Sequence, residues 1–211
     1  MDKVFFKPWV GRNYQSGGVF NKKVLVLGDS HHCEDEVCSA CGDIELGQGC
    51  APFTSNVINY FLDSNNAHEN WMKTFTKFER AMMNRALNQN EKHDFWDSIV
   101  FYNYIQKAMQ GPNAVPNDEL FTISQIPFLQ IIEAYKPNCI ICWGQGRLFN
   151  GLPKSGRPGP DLIIDGEKDS NTWIYNLSDG SEVLVYAIKH PARAFSWADW
   201  HPFIMKAVEL A

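Results

Sequence analysis

Four short, largely apolar runs punctuate this chain, and each stops close to a small or polar residue. They are Val24–Leu27 before Gly28, Asp97–Tyr102 before Asn103, Cys139–Trp143 before Gly144, and Glu182–Ile188 shortly before His190-Pro191. Runs of β-branched, leucine and aromatic residues without alternation predict strands covered on both faces. Between them the apolar spacing changes to three or four. Val57, Ile58, Phe61 and Leu62 predict a helix over Thr54–Leu62, with Thr54 or Ser55 able to cap it. Trp71, Phe75, Phe78, Met82 and Ala86 predict another over 69–88. A third, from about Asp118 to Tyr135, turns Phe121, Ile123, Phe128, Leu129, Ile131 and Ile132 inward and is stopped by Pro137. Arg147–Gly151 reads as a short helix, and a last one runs from about Trp200 to Leu210. Trp173–Leu177 and Glu182–Ile188, joined through Ser178-Asp179-Gly180, read as a hairpin feeding the fourth strand.

Strands alternating with helices imply parallel pairing through crossovers. The expected fold class is therefore α/β, a three-layer α/β/α arrangement around a central four-stranded parallel sheet. The 211 residues suffice for one domain. Within it lie an apolar N-terminal strap (1–20), a Cys-rich loop (28–52) and an insertion rich in Pro, Gly and Asp (153–181). Parallel sheets carry their chemistry just beyond the carboxyl ends of the strands. Asp29, Asn103, Gly144 and His190 are thus expected along one edge, with Ser30, His31 and His32 beside Asp29.

Composition changes this picture only in part. Hydrophobic residues make up 45% and charged residues 20%, as in ordinary globular proteins. No apolar run approaches the roughly 20 residues of a membrane helix, and no secretory pattern opens the chain. The expectation is a cytoplasmic monomer that makes no use of a membrane. A net charge of −5 argues against sequence-independent coating of nucleic acid. It leaves room for a local basic groove if the fold gathers Arg147, Lys154, Arg157, Lys189 and Arg193; the alternative is a solvated face.

The six cysteines divide into two kinds. Cys139 and Cys142 fall inside an apolar strand and read as core. Cys33, Cys38, Cys41 and Cys50 follow the spacing C-x4-C-x2-C-x8-C, a set of soft ligands suited to structural zinc. His31 or His32 is a substitute ligand in the same reading. A relocated iron–sulfur cluster and unliganded thiols are the alternatives.

Taken in order, these motifs resemble the uracil-DNA glycosylase superfamily, above all its iron–sulfur branch. Gly28-Asp29 stands where that branch has G-E, and Pro52-Phe53 stands before a helix where it has P-F. Val100-Phe101-Tyr102-Asn103 matches its strand ending in Asn. Pro116-Asn117-Asp118-Glu119, Pro127-Phe128-Leu129-Gln130-Ile131-Ile132, Lys136-Pro137 and Cys139–Gly144 follow in the family's sequence, and His190-Pro191 answers its final H-P-S. Ala192 replaces that serine, and Ser30-His31-His32 replaces the first motif's P-G. The branch's cluster cysteines have no counterparts at their usual places; Ile126 precedes Pro127, for example.

The resemblance implies cleavage of a base–sugar bond, as in DNA repair, with DNA, a nucleoside or a nucleotide as ligand. Such a reaction leaves positive charge on the sugar and negative charge on the base. Asp29 would be the carboxylate that orients water, and His190 the donor to the departing base. Phe53 would stack on the base, Asn103 would read its edge, and His31 and His32 would line the pocket. Each has a plainer alternative: a turn cap for Asp29 and Asn103, core packing for Phe53, a structural role for the histidines. Two other functions compete. One is a non-catalytic nucleic-acid or nucleotide binder that keeps the pocket; the other is a metal hydrolase built on His31, His32 and the cysteines.

Overall fold

The computed structural model describes residues 1–33, 41, 48–111 and 114–211. In chain order its strands are β1 (Trp9–Val10), β2 (Val24–Gly28), β3 (His32–Cys33), β4 (Ile99–Asn103), β5 (Met109–Gln110) and β6 (Cys139–Trp143). They continue with β7 (Arg157–Pro158), β8 (Leu162–Ile164), β9 (Glu167–Asp169), β10 (Thr172–Asn176) and β11 (Glu182–Ile188). The helices are α1 (Phe53–Leu62), α2 (Met72–Met83), α3 (Gln89–Trp96), α4 (Asp118–Ile123), α5 (Gln125–Tyr135), α6 (Arg147–Gly151) and α7 (Trp197–Leu210).

The main sheet is mixed and seven-stranded, in the order β1-β4-β2-β6-β11-β10-β7. β4, β2, β6 and β11 pair in parallel, with Gly28 beside Asn103 and Trp143 beside Ile188. β1 adds antiparallel to β4, β10 to β11, and β7 to β10. The sheet is therefore wider than the four strands expected. Two-residue β1 and β7 are too short to leave a hydrophobic pattern, and part of the 153–181 excursion is sheet edge. The rest of it folds as the small β8–β9 hairpin.

Every residue of β2, β4 and β6 is buried. Alternate side chains go to opposite faces. Val24, Val26, Ile99, Phe101, Ile141 and Trp143 pack with α1, α2, α3 and α7. Leu25, Leu27, Val100, Ile140 and Cys142 pack with α4, α5 and α6. Two cores on one sheet explain why these strands read as unbroken apolar runs. Burial pushes the Cys139 thiol up to about 12, and the Cys142 thiol also upward, as inert core residues require.

Several helix boundaries differ from the expected ones, each for a local reason. α1 starts at Phe53 without a side-chain cap, because Thr54 turns into the interior. α3 was not foreseen; its amphipathic pattern is weak, and a capping box between Asn88 and Glu91 starts it. The helix expected over 118–135 is two helices. Pro127 in the first turn of α5 lacks the N–H an unbroken helix needs, and the break falls at Ser124. Ile123, expected inside, is consequently 56% exposed. α7 begins at Trp197 and tolerates Pro202 within it. Phe195 stacks on Trp200 with ring centroids 6.0 Å apart, against the α2–α7 side of the core.

One buried charge stands out in that core. Glu79 on α2 is enclosed, and Trp96 Nε1 donates to its Oε1 at 2.8 Å. Its other oxygen has no partner among the described residues. Burial pushes this carboxyl up to about 7, against smaller opposing effects of the Trp96 bond, Lys92 and Arg80.

Candidate functional site

The carboxyl ends of the central strands are tied together by their backbone. Tyr104 N donates to Gly28 O at 3.0 Å, Ile105 N to Asp29 O at 2.9 Å, and Gly144 N to Ile188 O at 2.9 Å. The chain after β2 is also anchored: β3 pairs in parallel with β5, Met109 N donates to His31 O at 2.7 Å, and His32 Nδ1 meets Gly111 O at 2.9 Å. Residues 29–33 are thus laid against the segment that follows β4.

At the centre of this arrangement is the ring of His31, only 5% exposed. It stacks on Phe53, with centroids 4.6 Å apart and planes 23° from parallel, and Phe6 meets it edge-on at 4.8 Å. Asn103, 7% exposed, brings its amide nitrogen to 3.1 Å from His31 Nδ1 and 3.3 Å from Nε2. Nε2 is engaged with Thr54 Oγ1 at 2.9 Å. The network is satisfied when Nε2–H donates to Thr54 and Nδ1 accepts from Asn103, which assigns the tautomer. Burial drives His31 down to about 3, so the ring is neutral. Gly28 completes the fit: a Cβ there would run into Asn103 Oδ1.

Asp29 belongs to a second group. Its Oδ1 is buried without a partner among the described residues. Burial raises its pKa, while the charges of Arg147 and His32 pull it back down. His190 forms a third. It lies edge-on to Trp143 at 5.9 Å, and its Nδ1 accepts a hydrogen bond from Ala192 N at 3.1 Å. Burial and, to a smaller extent, the Arg193 charge lower it to about 4. A neutral ring whose Nδ1 accepts must carry its proton on Nε2, which makes Nε2–H a donor.

The sequence-predicted residues thus separate. Phe53, Asn103 and His31 touch; Asp29 and His32 are electrostatic neighbours; His190 stands on Trp143 at the end of the next strands. The hollow expected between Phe53 and Asn103 is filled by His31 itself. Three contributors escaped sequence reasoning. Phe6 and Thr54 hold the His31 ring, and Gln106 ties the strap down, its Oε1 accepting from Phe5 N and Phe6 N at 2.9 and 3.1 Å while its Nε2 donates to Asn103 O at 3.1 Å. The Phe5-Phe6 pair in the strap was the available signal.

Of the spaced cysteines, Cys33 and Cys41 pack with Phe53 against Phe5, Phe6 and Ala108, and Cys50 is exposed. Ala108 N donates to Cys41 Sγ at 2.9 Å. Cys38 lies outside the described residues. Among the described residues, no three His, Cys, Asp or Glu side chains stand close enough to share a metal ion. Among them also, no helix is long and apolar enough to cross a membrane. A scan against protein-family models and a search of the curated proteins each return no match for the chain.

Proposed function

We propose that this edge of the sheet is a base-recognition site of the uracil-DNA glycosylase kind, able to hydrolyse a base–sugar bond. The observation that carries the reading is the environment of His31. A flat nitrogen heterocycle lies stacked on Phe53 and hydrogen-bonded to the amide of Asn103. An extruded base needs the same two contacts, a stacking face and a polar edge reader. His31 holds the slot in the free protein and leaves when a base enters. Asp29 orients the water and stabilises the cationic sugar. His190, neutral and protonated on Nε2, donates to the base as its negative charge grows.

The test is formation of abasic sites in oligonucleotides carrying uracil, hypoxanthine or xanthine. Wild-type protein is expected to act on at least one, and Asn103→Ala to slow it by about 10²-fold. If all three stay intact, the enzymatic reading fails. The second reading, a non-catalytic nucleotide or nucleic-acid binder, survives that result and is favoured by how fully His31 fills the slot.

Zinc held by Cys33, Cys38, Cys41 and Cys50 is part of the same proposal and rests on their spacing, with Cys41 already offered a backbone donor. It would order the loop rather than react. Metal analysis of the purified protein is expected to find about one zinc per chain; clearly substoichiometric zinc and iron would reject it.

A further inference from the structure

Phe53, Thr54, Asn103 and Phe6 surround the His31 ring, and three of these four stand on regular elements. Phe53 and Thr54 open α1, and Asn103 ends β4. Phe6 comes from the strap, whose residues 1–8 form neither helix nor strand. The backbone of His31 is itself pinned, through its carbonyl to Met109 N and through the β3–β5 pairing that follows it. The slot therefore has three walls fixed by the fold's frame and one that is free to move.

That fourth wall is shut by packing and by a few hydrogen bonds. Phe6 is fully buried, Phe5 is nearly so, and both pack on Ala108. Phe6 also leans on Phe53, with ring centroids 5.9 Å apart. The catch is the buried side chain of Gln106. Its Oε1 accepts from both Phe5 N and Phe6 N, and its Nε2 donates to Asn103 O at 3.1 Å and to Tyr104 O at 3.4 Å. One amide thus fastens the strap to the strand end that carries Asn103. Lys7 N adds a bond to Ala51 O at 2.8 Å. The segment is anchored on either side, by Val4 in the core under α4 and α5 and by Trp9 in β1. A short irregular stretch between firm anchors opens more readily than strands bonded in a ladder.

We infer that Phe5–Pro8 is a gate on the ring slot, that Gln106 is its catch, and that withdrawal of Phe6 is the step that frees His31. The inference rests on the base-recognition reading of the slot, which requires His31 to leave it. Closed, the gate keeps the His31 ring on the stacking face of Phe53 and against the amide of Asn103; open, it gives both up to a planar ligand.

The experiment uses two readouts on the protein without ligand. One is hydrogen exchange of the Phe5 and Phe6 amides by NMR. The other is modification of His31 by diethyl pyrocarbonate, which needs a neutral ring in contact with solvent, followed by peptide mass spectrometry. In wild type the two strap amides are expected to exchange at least about 100-fold faster than those of β2 and β6. His31 is expected to react at least about tenfold more slowly than the exposed His68. Gln106→Met removes the catch at similar length and is expected to raise both strap exchange and His31 modification about tenfold. Ser98→Ala, which takes a comparable buried acceptor from Val19 N at the other end of β4, is expected to leave both unchanged. Strap amides that exchange only with β2 and β6, or a wild-type His31 as reactive as His68, overturn the inference. So does a Gln106→Met variant that loosens the strap without exposing His31, or an equal effect of Ser98→Ala. Neither readout involves a nucleotide, so failure of the base-release assay leaves this result standing.

Discussion

Asp29→Ala is expected to remove base release almost entirely, by about 10³-fold or more, because a carboxylate at the cationic sugar acts on the transition state alone. Asp29→Asn should do nearly as much while keeping the shape. The acid limb of the pH–rate profile follows from the same residue. Burial lifts Asp29 above the usual 3.8, and Arg147 and His32 limit the rise. Activity therefore grows as pH climbs through the folded-state pKa of Asp29 and fades below it. His190, lowered to about 4, is neutral across the working range and adds no limb above it. The stability effect has the opposite sense. A carboxyl with a raised folded-state pKa binds its proton more tightly folded than unfolded, so the fold loses stability as pH rises past the unfolded value. Asp29→Asn should accordingly melt higher than wild type near neutral pH while being inactive. Normal activity in that variant would remove Asp29 from the mechanism.

The second large effect lies in the core. Trp96 is fully buried among Phe61, Phe75, Phe95 and Phe101, and it supplies the hydrogen bond to Glu79. Trp96→Ala is expected to lower stability by about 3–5 kcal/mol, on the order of 10 °C in Tm for a chain of this size. Glu79→Gln should act in the other direction. Glu79 titrates near 7 folded against 4.5 as its ordinary value, so the penalty for ionising it appears as pH rises from the lower value to the higher. Above that window the penalty is about 3 kcal/mol. Gln keeps an acceptor for Trp96 Nε1 and carries no charge. Denaturant melts at about pH 8 should show Glu79→Gln more stable than wild type, with the gap closing below about pH 5. A gap that does not change with pH would mean that Glu79 is not the titrating group.

The sheet centre was legible because β2, β4 and β6 are covered on both faces, and a doubly covered strand has no polar positions to disguise it. The β10–β11 hairpin was legible from its turn. β1 and β7 were not, since two residues carry no period. The break before α5 was legible only in part: Pro127 is in the sequence, but Ser124, at the break, accepts a hydrogen bond from Gln106 N at 3.3 Å, a contact that no local pattern announces.

By itself the sequence determined which residues stand at the carboxyl edge: Asp29, Asn103 and His190 are placed there by strand period and chain punctuation, both local properties. Only the tertiary structure decided what they touch. That His31 lies on Phe53 and against Asn103, and that Glu79 is sealed in beneath Trp96, both depend on contacts between segments apart in the chain. Such contacts are chosen by close packing of the whole core, and no window of neighbouring residues contains them.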